Sequence, residues 1–443
     1  MRLFSIALAV VAALTVWQLP ADAHVAAGLA LFVLIGLLWL TEALPLTFTA
    51  LMVPLLGVAL GLAPVKTALS GFAHPVIGLF LGGFALAAAL AEHGIDRWLA
   101  QRLLSLARGR ALPAALLLAL TTALLSMWIS NTATTAMLLP IALGLSAPLA
   151  EQHPRYRVFL LLALAWSANI GGMATLVGSP PNAIAAAALG WSFDDWLAVG
   201  MPVFVVLLPL ALGVLYLLVR PEPHLPPVDV RHLTPFPSGR NARLTLLIFA
   251  VTVGLWVLGA PLARALSIDT GFDTWVALLA IALLGVSGCV GWSQIEQHAN
   301  WGVLLLFGGG ITLSMLLQSS GTSAWLADGI SHWLPAEQPW LVYLLIATFV
   351  VFLTELASNT ASAALLIPLL MPVAASVGAE PVTTAMLVGL AASCAFMLPV
   401  ATPPNAMVYG SGYVPQRTMV RAGLVLNVIA ACLLGLVVPL IQG

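Results

Sequence analysis

Long apolar stretches separated by short polar ones run along the whole chain. Most of these stretches are close in length to a helix that crosses a bilayer, which needs about 20 apolar residues. Their approximate bounds are 4–19, 25–45, 47–64, 73–94, 113–148, 157–188, 196–219, 244–263, 274–290, 299–319, 339–375, 382–409 and 420–441. The pattern predicts an all-α polytopic membrane protein, because a spanning helix satisfies its own backbone hydrogen bonds in lipid.

Two of these segments, 113–148 and 339–375, are too long for one span and too short for two. Each is interrupted near its middle by the same polar tripeptide, Ser-Asn-Thr, at 130–132 in the first and at 358–360 in the second. A chain that turns back at membrane depth is tolerated where it is buried in protein or lines water. We therefore predict two re-entrant hairpins, each with a polar tip.

Basic residues orient the segments, since cytoplasmic loops collect Lys and Arg. Both flanks of the 113–148 hairpin are basic, with Arg97, Arg102, Arg108, Arg110, Arg155 and Arg157. Both of its ends are therefore predicted inside. Counting forward puts the loop 220–243 inside as well, and this loop contains Arg220, Arg231, Arg240 and Arg243. The 339–375 hairpin has no Lys or Arg near either end, and we predict that it enters from outside.

The full count gives about eleven transmembrane helices and two opposed re-entrant hairpins, with the N-terminus inside and the C-terminus outside. Of the 15 Lys and Arg residues, only Lys66 and Arg264 are predicted outside. The sequence Ala-Asp-Ala at 21–23 imitates a signal-peptidase site. We nevertheless expect a retained first span, because the next apolar run begins almost at once, at Val25.

The two halves of the chain resemble each other. Four residues of the first half recur in the second at the same spacing: Gly82, Gly83, Gly94 and Trp98 match Gly309, Gly310, Gly321 and Trp325. A small polar residue followed by Pro-Pro-Asn occurs at 179–182 and again at 402–405. We therefore divide the chain into an N-terminal span (1–24), a first inverted repeat (25–219), a cytoplasmic linker (220–243) and a second inverted repeat (244–443).

Composition and charge narrow the class of protein. The 443 residues are 61% hydrophobic and 7% charged, whereas a soluble domain has about 25% charged residues. We expect a multi-pass protein of the cell inner (plasma) membrane with no soluble domain. The net charge of −1 gives no basis for nucleic-acid binding. The three cysteines lie in apolar runs without metal-type spacing.

The tips and the Pro-Pro breaks carry the candidate chemistry. Interrupted helices free backbone groups, whose N–H ends favour anions and whose carbonyls, with Asn and Ser oxygens, suit sodium. No Lys, Arg or His occurs in either tip or break. An anion bound there would therefore need helix ends, hydroxyls and co-bound cations, and an enzyme is not expected. Inverted repeats of this kind build transporters, with the binding site at their interface.

Simpler roles remain open for some of these polar residues. Ser and Thr in spanning helices often bond to their own backbone, and Asn can join helices. The duplication of both motifs argues against packing alone. Glu355, three residues before the second tip, either acts electrostatically beside a cation or serves the structure of the hairpin.

Five stretches resemble the divalent anion/sodium symporter family, the sodium-coupled dicarboxylate and sulfate transporters. They are Trp-Leu-Thr-Glu-Ala-Leu-Pro at 39–45, Met-Trp-Ile-Ser-Asn-Thr-Ala-Thr-Thr-Ala-Met at 127–137, Ala-Thr-Leu-Val-Gly-Ser-Pro-Pro-Asn at 174–182, Ala-Ser-Asn-Thr-Ala at 357–361 and Leu-Pro-Val-Ala-Thr-Pro-Pro-Asn at 398–405. The resemblance covers nearly the whole chain. It implies a homodimer with a scaffold part and a mobile part that moves like an elevator.

The resemblance also implies the site residues. One sodium site would use Ser126, Ser130, Asn131 and Gly178, and the other Thr354, Ala357, Asn359 and Ala401. Substrate carboxylates would meet Asn131, Thr132, Ser179, Pro180, Ser358, Asn359, Thr360, Thr402 and Pro403. The expected function is sodium-coupled symport of a small divalent anion, foremost a C4-dicarboxylate such as succinate. Sulfate symport stays open, because Ser179 stands where Thr is also common in the family, and sodium-independent dicarboxylate exchange stays open, because some relatives exchange anions without sodium.

Overall fold

The computed structural model describes residues 2–19, 21–149, 152–228, 237–268, 271–332 and 338–442, which contain helices and no strands. The helices of the first half are α1 Arg2–Trp17, α2 Ala23–Thr41, α3 Leu46–Ala59, α4 Val65–Ser70, α5 Pro75–Glu92, α6 Ile95–Ser105, α7 Ala111–Ser126, α8 Asn131–Ser146, α9 Pro154–Met173, α10 Pro180–Leu189 and α11 Phe193–Val219. Those of the second half are α12 Arg240–Val257, α13 Gly259–Ala265, α14 Phe272–Val286, α15 Trp292–His298, α16 Trp301–Ser319, α17 Thr322–Ser331, α18 Pro339–Leu353, α19 Asn359–Ser376, α20 Pro381–Ala391, α21 Pro403–Gly410 and α22 Gln416–Gln442.

Nine helical stretches in the described part of the chain are long and apolar enough to cross a membrane. Two of these stretches, Asn131–Leu149 and Asn359–Ser376, belong to the predicted hairpins. The predicted span 4–19 contains a helix of 16 residues, and the predicted spans 47–64 and 274–290 contain helices of 14 and 15 residues. Each of the last two helices ends shortly before a glycine with positive φ, Gly61 at 72° and Gly288 at 71°. Glycine adopts this left-handed conformation without steric cost, so the chain turns before the apolar run is finished.

The first predicted hairpin is a pair of helices, α7 and α8, joined by the turn 127–130. The Tyr156 hydroxyl donates to the Ala111 carbonyl over 2.8 Å, and Arg157 Nη2 donates to the Ser146 carbonyl over 3.2 Å. Both open ends of the hairpin therefore lie beside the first turn of α9. Its tip lies beside Ala168, about 18 Å further along α9 at 1.5 Å per residue.

The second predicted hairpin is built in the same way from α18 and α19, joined by the turn 354–358. Its open end lies near the start of α20, where the Tyr343 hydroxyl accepts from the Glu380 N–H over 2.7 Å. Its tip lies at the far end of α20, where the Thr354 hydroxyl donates to the Ala392 carbonyl over 2.9 Å. The two hairpins thus extend over comparable distances along comparable helices.

The predicted segments 157–188 and 382–409 are each split into two helices. The first gives α9 and α10, and the second gives α20 and α21, with an irregular stretch between the members of each pair. The second helix of each pair begins at the first proline of Pro-Pro, Pro180 or Pro403. Proline suits the first helical position, where an N–H has no helical partner, and it prevents the preceding turn from continuing.

Helix α9 lies at the centre of the molecule, because every residue in an 18-residue apolar stretch of this helix is buried. A helix that is apolar on all sides requires neighbours on all sides, and α9 packs against α7, α8, α11 and α21. The two halves also pack crosswise, with α8 against α21 and α10 against α19. This crosswise packing brings the hairpin of each half to the broken span of the other.

The described part of the predicted linker, residues 220–228 and 237–243, runs along the end of the molecule that carries the start of α9. The Val228 N–H donates to the Gly109 carbonyl over 2.9 Å, and Glu222 binds the first turn of α9. Arg231, one of the basic residues used to orient the loop, lies outside the described residues.

Candidate functional site

Four helices begin at the predicted motifs. Helix α8 begins at Asn131 after Ser130, α10 at Pro180 after Ser179, α19 at Asn359 after Ser358 and α21 at Pro403 after Thr402. Every helix start leaves backbone N–H groups without helical partners and a partial positive charge. The substrate residues predicted from the sequence therefore occupy the N-cap and first-turn positions of four helices.

At the first tip, three oxygen atoms of different residues lie together. Ser126 Oγ is 2.6 Å from Asn131 Oδ1 and 2.7 Å from the Ala168 carbonyl oxygen. The single hydroxyl hydrogen of Ser126 cannot serve both acceptors fully. The result is an oxygen cluster with more lone pairs than hydrogens, which is the donor set that a hard cation prefers.

The second tip repeats this cluster. Thr354 Oγ1 is 2.7 Å from Asn359 Oδ1 and 2.9 Å from the Ala392 carbonyl oxygen. Residues Ser126 and Thr354, and residues Asn131 and Asn359, thus have the same relation in the two halves. Ala357 and Ala401 are also predicted as members of the second sodium site. Ala357 is buried in the second tip, and Ala401 is buried in the irregular stretch before α21.

Two glycines allow the backbone around the end of α9 to approach the first tip closely. Gly172 lies in the last turn of α9, and Gly178 lies in the irregular stretch between α9 and α10. A Cβ atom added to Gly172 would lie 2.5 Å from Asn131 Oδ1, and one added to Gly178 would lie 2.6 Å from the Gly172 carbonyl oxygen. Asn131 and Gly178 therefore meet at Gly172, which the sequence interpretation did not single out. Ser130 adjoins this group, and its hydroxyl accepts from the Ala133 N–H at the start of α8.

The asparagine after each Pro-Pro pair holds the irregular stretch before it. Asn182 Nδ2 donates to the Gly172 and Thr175 carbonyls over 2.8 and 2.7 Å. Asn405 Nδ2 donates to the equivalent Ala395 and Leu398 carbonyls over 3.0 and 3.1 Å. A buried carbonyl without a donor costs about 1–3 kcal/mol, so these amides make the breaks in the helices stable.

Hydrogen bonds also cross between the halves. Asn169 Nδ2, on α9, donates to Thr402 Oγ1 over 3.1 Å. Ser393 Oγ, just after α20, lies 3.3 Å from Ser179 Oγ. The Thr402 and Ser179 hydroxyls, both predicted to meet substrate, are therefore each contacted by a side chain of the opposite half. Neither Asn169 nor Ser393 belongs to a motif that the sequence repeats, and pattern alone did not point to them.

Glu355 binds backbone donors. Its Oε1 accepts from the Phe396 and Met397 N–H groups over 2.7 and 2.8 Å, and its Oε2 accepts from the Leu398 N–H over 2.7 Å. Asn427 Nδ2, on α22, donates to Oε1 over 2.6 Å. Of the two roles considered for Glu355, the structural one is therefore realised, since its carboxylate stabilises the second break.

The remaining predicted substrate residues differ in exposure. Thr132 and Pro403 are exposed, Pro180 and Thr360 are half-buried, and Ser179 and Thr402 are buried. The starts of α8 and α21 are therefore accessible at Thr132 and Pro403, whereas the Ser179 and Thr402 hydroxyls lie inside the protein. Within the described residues, no group of three or more His, Cys, Asp or Glu side chains is placed to hold a metal ion.

These features together define a multi-pass membrane transporter, with a polar site built where helices are interrupted inside an apolar core. A family model described as citrate transporter matches residues 36–389. The chain belongs to this family, and the resemblance to the divalent anion/sodium symporters is confirmed.

Three similar proteins illustrate the relationship. An uncharacterized transporter of Haemophilus influenzae is 48% identical over 420 residues, covering 93% of this chain and 90% of that protein. The sodium-dependent dicarboxylate transporter SdcS of Staphylococcus aureus is 31% identical over 465 residues, covering 94% and 86%. The crystal structure of the YdaH transporter of Alcanivorax borkumensis matches with a TM-score of 0.56 at 17% identity, covering 83% of this chain and 86% of that chain, and supports the fold alone.

Proposed function

We propose that the protein is a secondary active transporter that carries a small divalent anion together with sodium, foremost a C4-dicarboxylate such as succinate. One observation carries the proposal. Two matched oxygen clusters, around Ser126 and Thr354, accompany the starts of four helices whose sequence motifs contain no Lys or Arg. Oxygen clusters favour cations and helix starts favour anions, so the arrangement suits both solutes at once.

Sodium is the cation that we assign to the clusters. Their ligands would be Ser126, Ser130, Asn131 and Gly178 in the first half, and Thr354, Ala357, Asn359 and Ala401 in the second. All of these offer neutral oxygens, which suit a hard monovalent ion in an apolar region. A dianion without a basic partner is costly to bury, and bound sodium would supply the missing positive charge. The sodium dependence named for the Staphylococcus aureus relative supports this assignment.

The anion would lie between the helix starts. Its two carboxylates would meet Asn131, Thr132, Ser179 and Pro180 on one side, and Ser358, Asn359, Thr360, Thr402 and Pro403 on the other. Backbone N–H groups, hydroxyls and amides at these positions donate hydrogen bonds to carboxylate oxygens. The dicarboxylates named for the same relative support this substrate class.

We further propose that the two helical hairpins are re-entrant and that the halves form an inverted repeat. Both open ends of the first hairpin adjoin the start of α9, and its tip lies about 18 Å further along that helix. This depth corresponds to the middle of a hydrocarbon core about 30 Å thick. The equivalent arrangement at α20 supports the same geometry for the second hairpin.

An elevator mechanism in a homodimer follows from the resemblance and is compatible with the packing. Hydrogen bonds from Asn169 and Ser393 join the halves inside the site, so an opening between the halves would break the site itself. Outside the site, α5 packs against α14 and α3 against α16. We propose that these helices belong to the scaffold, past which the site moves as one body.

Transport in liposomes tests the proposal directly. Purified protein in liposomes should accumulate labelled succinate when an inward sodium gradient is imposed, and protein-free liposomes are the control. Equal uptake with sodium and with potassium would overturn the coupling. Uptake that requires internal dicarboxylate instead of sodium would indicate an exchanger. Competition by excess sulfate or citrate would identify the anion class.

A further inference from the structure

The N-cap hydroxyl of α21 is held by a side chain of the other half. Asn169, which is 1% exposed, directs Nδ2 to Thr402 Oγ1 over 3.1 Å and to the Ala395 carbonyl over 3.3 Å. The orientation of the amide is determined by its partners. A flipped Asn169 would face the Ala395 carbonyl with its own oxygen, and two acceptors would then oppose each other.

This contact decides what the Thr402 hydroxyl can do. Its oxygen also accepts from the Asn405 N–H over 3.3 Å, in the N-cap bond of α21. A hydroxyl has two acceptor lone pairs and one hydrogen. With both lone pairs engaged, by Asn169 and by Asn405, only the hydrogen remains for a ligand. The hydroxyl at this end of the site is therefore restricted to donating.

The equivalent hydroxyl of the first half is not restricted in this way. Ser179 makes no side-chain cap bond to α10. Its contact at 3.3 Å is with the Ser393 hydroxyl, and either oxygen can be the donor. Ser179 can therefore donate to a ligand or accept from it. The two ends of the site differ in chemistry although the backbone motifs match.

We propose that Asn169 is a positioning residue that keeps the Thr402 hydroxyl a donor, so that this end of the site selects a deprotonated carboxylate and rejects a group that carries hydrogen. The inference rests on the proposed function. A hydrogen-bearing group facing Thr402 would leave two donors opposed in a buried place, and unpaired buried polar groups discriminate strongly between substrates.

The test compares succinate with succinamide, in which carboxamides of the same shape replace both carboxylates, so that a group carrying hydrogen faces Thr402 whichever way round the molecule binds. Succinate is measured as KM for uptake and succinamide as Ki for inhibition of that uptake, and the readout is the ratio of Ki to KM. In Asn169→Ala the Thr402 hydroxyl can rotate and accept from the amide. We expect the preference for succinate to fall about tenfold, corresponding to one hydrogen bond. The loss of charge in succinamide affects all variants alike and cancels in the comparison.

Two further variants separate positioning from folding. Asn169→Leu keeps the volume of the side chain without its hydrogen bonds and should give the same fall in preference. Thr402→Val removes the hydroxyl, and adding Asn169→Ala to it should change the ratio no further, because Asn169 acts through Thr402. Asn241→Ala is the matched control, since Asn241 also donates to a backbone carbonyl, that of Gly288, away from the site.

An unchanged preference in both Asn169 variants, or additive effects of Asn169→Ala and Thr402→Val, would overturn the inference. Failure of the proposed function is distinguishable, because it shows as absent sodium-driven succinate uptake by the wild-type protein. In that event thermal unfolding in detergent is compared among the wild type, Asn169→Ala, Thr402→Val and the double variant. A non-additive shift of the unfolding midpoint supports the contact, and additive shifts refute it.

Discussion

Polar residues inside this apolar molecule lie where helical hydrogen bonding stops. Asn182 and Asn405 bind the free carbonyls of the two breaks, and Glu355 binds the free N–H groups of the second. In lipid these backbone groups have no water to bind, so each must find a partner in the protein. Side chains that satisfy the backbone and side chains that remain available for ligands therefore lie within a few residues of each other.

Asn131→Ala and Asn359→Ala should each abolish sodium-driven uptake while leaving membrane insertion normal. Each amide is proposed to contact both cation and anion, and hydrogen bonds to charged groups contribute about 1.5–3 kcal/mol each. We expect a fall in uptake of at least about a hundredfold, measured in liposomes at matched protein amounts. Asn241→Ala is the control and should behave as wild type. Near-normal transport by both site variants would contradict the proposed site.

Glu355→Gln should destabilise the protein by about 1–3 kcal/mol, the cost of leaving a buried polar group unpaired. Glutamine offers one oxygen where the carboxylate offers two, and its NH₂ group would oppose backbone N–H donors of residues 396–398. The midpoint of thermal unfolding in detergent should fall. Glu42→Gln is the control, because Glu42 is exposed at the end of α2. Equal stability of Glu355→Gln and wild type would refute this role.

The sequence alone pointed to some site residues and not to others, for a physical reason. Asn131 and Asn359 were found because the same tripeptide occurs in both halves, and duplication distinguishes a motif from a chance polar residue. Asn169 and Asn427 occur without duplicates, and their importance depends on what the other half of the chain brings near them. Such contacts arise from tertiary packing, which single-sequence periodicity does not contain.

At the scale of whole elements, apolar runs predicted the helices well and their interruptions less well. The Pro-Pro pairs marked where α10 and α21 begin, because proline fixes φ and removes an N–H. Where α9 and α20 end was not visible, since the residues between 174 and 179 and between 392 and 402 are as apolar as helical ones. Asn182, Asn405 and Glu355 determine how long the irregular stretches are, because their side chains bind backbone groups there from other positions in the sequence.

The start of α9 carries a pH-dependent contact outside the membrane-spanning segments. Glu222 accepts from the Arg155 and Tyr156 N–H groups, over 3.1 and 2.9 Å, and from Arg155 Nε. Partial burial raises the pKa of the Glu222 carboxyl, but these bonds and one from its own N–H outweigh burial, so the pKa lies below its ordinary 4.5. A carboxylate with a lowered pKa stabilises the fold above its unfolded pKa, and this contribution is lost as the pH falls through the folded value.

Glu222→Gln should therefore lower the thermal unfolding midpoint at neutral pH and lose its effect in acid. The difference between wild type and variant should be complete above the ordinary pKa of 4.5 and shrink as the pH falls below it. Unfolding in detergent across this pH range is the measurement. A difference of constant size from neutral pH to well below 4.5 would show that the charge of Glu222 plays no part.

For the whole molecule, contacts between distant loops follow the predicted sides of the membrane. Val228 binds Gly109 and Asn241 binds Gly288, and all four residues lie in segments predicted inside. Thr274, in a segment predicted to start outside, donates to the Pro75 carbonyl, which is also predicted near the outside. The three-dimensional contacts thus join loops that the distribution of Lys and Arg, an independent observation, predicts on the same side of the membrane.

Thiol labelling in intact cells tests this orientation with two matched positions, Gln152 and Gln338. Both are exposed, and they flank the two hairpins, one after the first and one before the second. In a background with Cys289, Cys394 and Cys432 replaced, Gln338→Cys should react with a membrane-impermeant maleimide in intact cells. Gln152→Cys should react only after the membrane is opened, because Arg155 and Arg157 hold its side of the hairpin in the cytoplasm. Labelling of both positions from the same side would mean that the hairpins do not enter from opposite faces, and an inverted repeat could then not form the site.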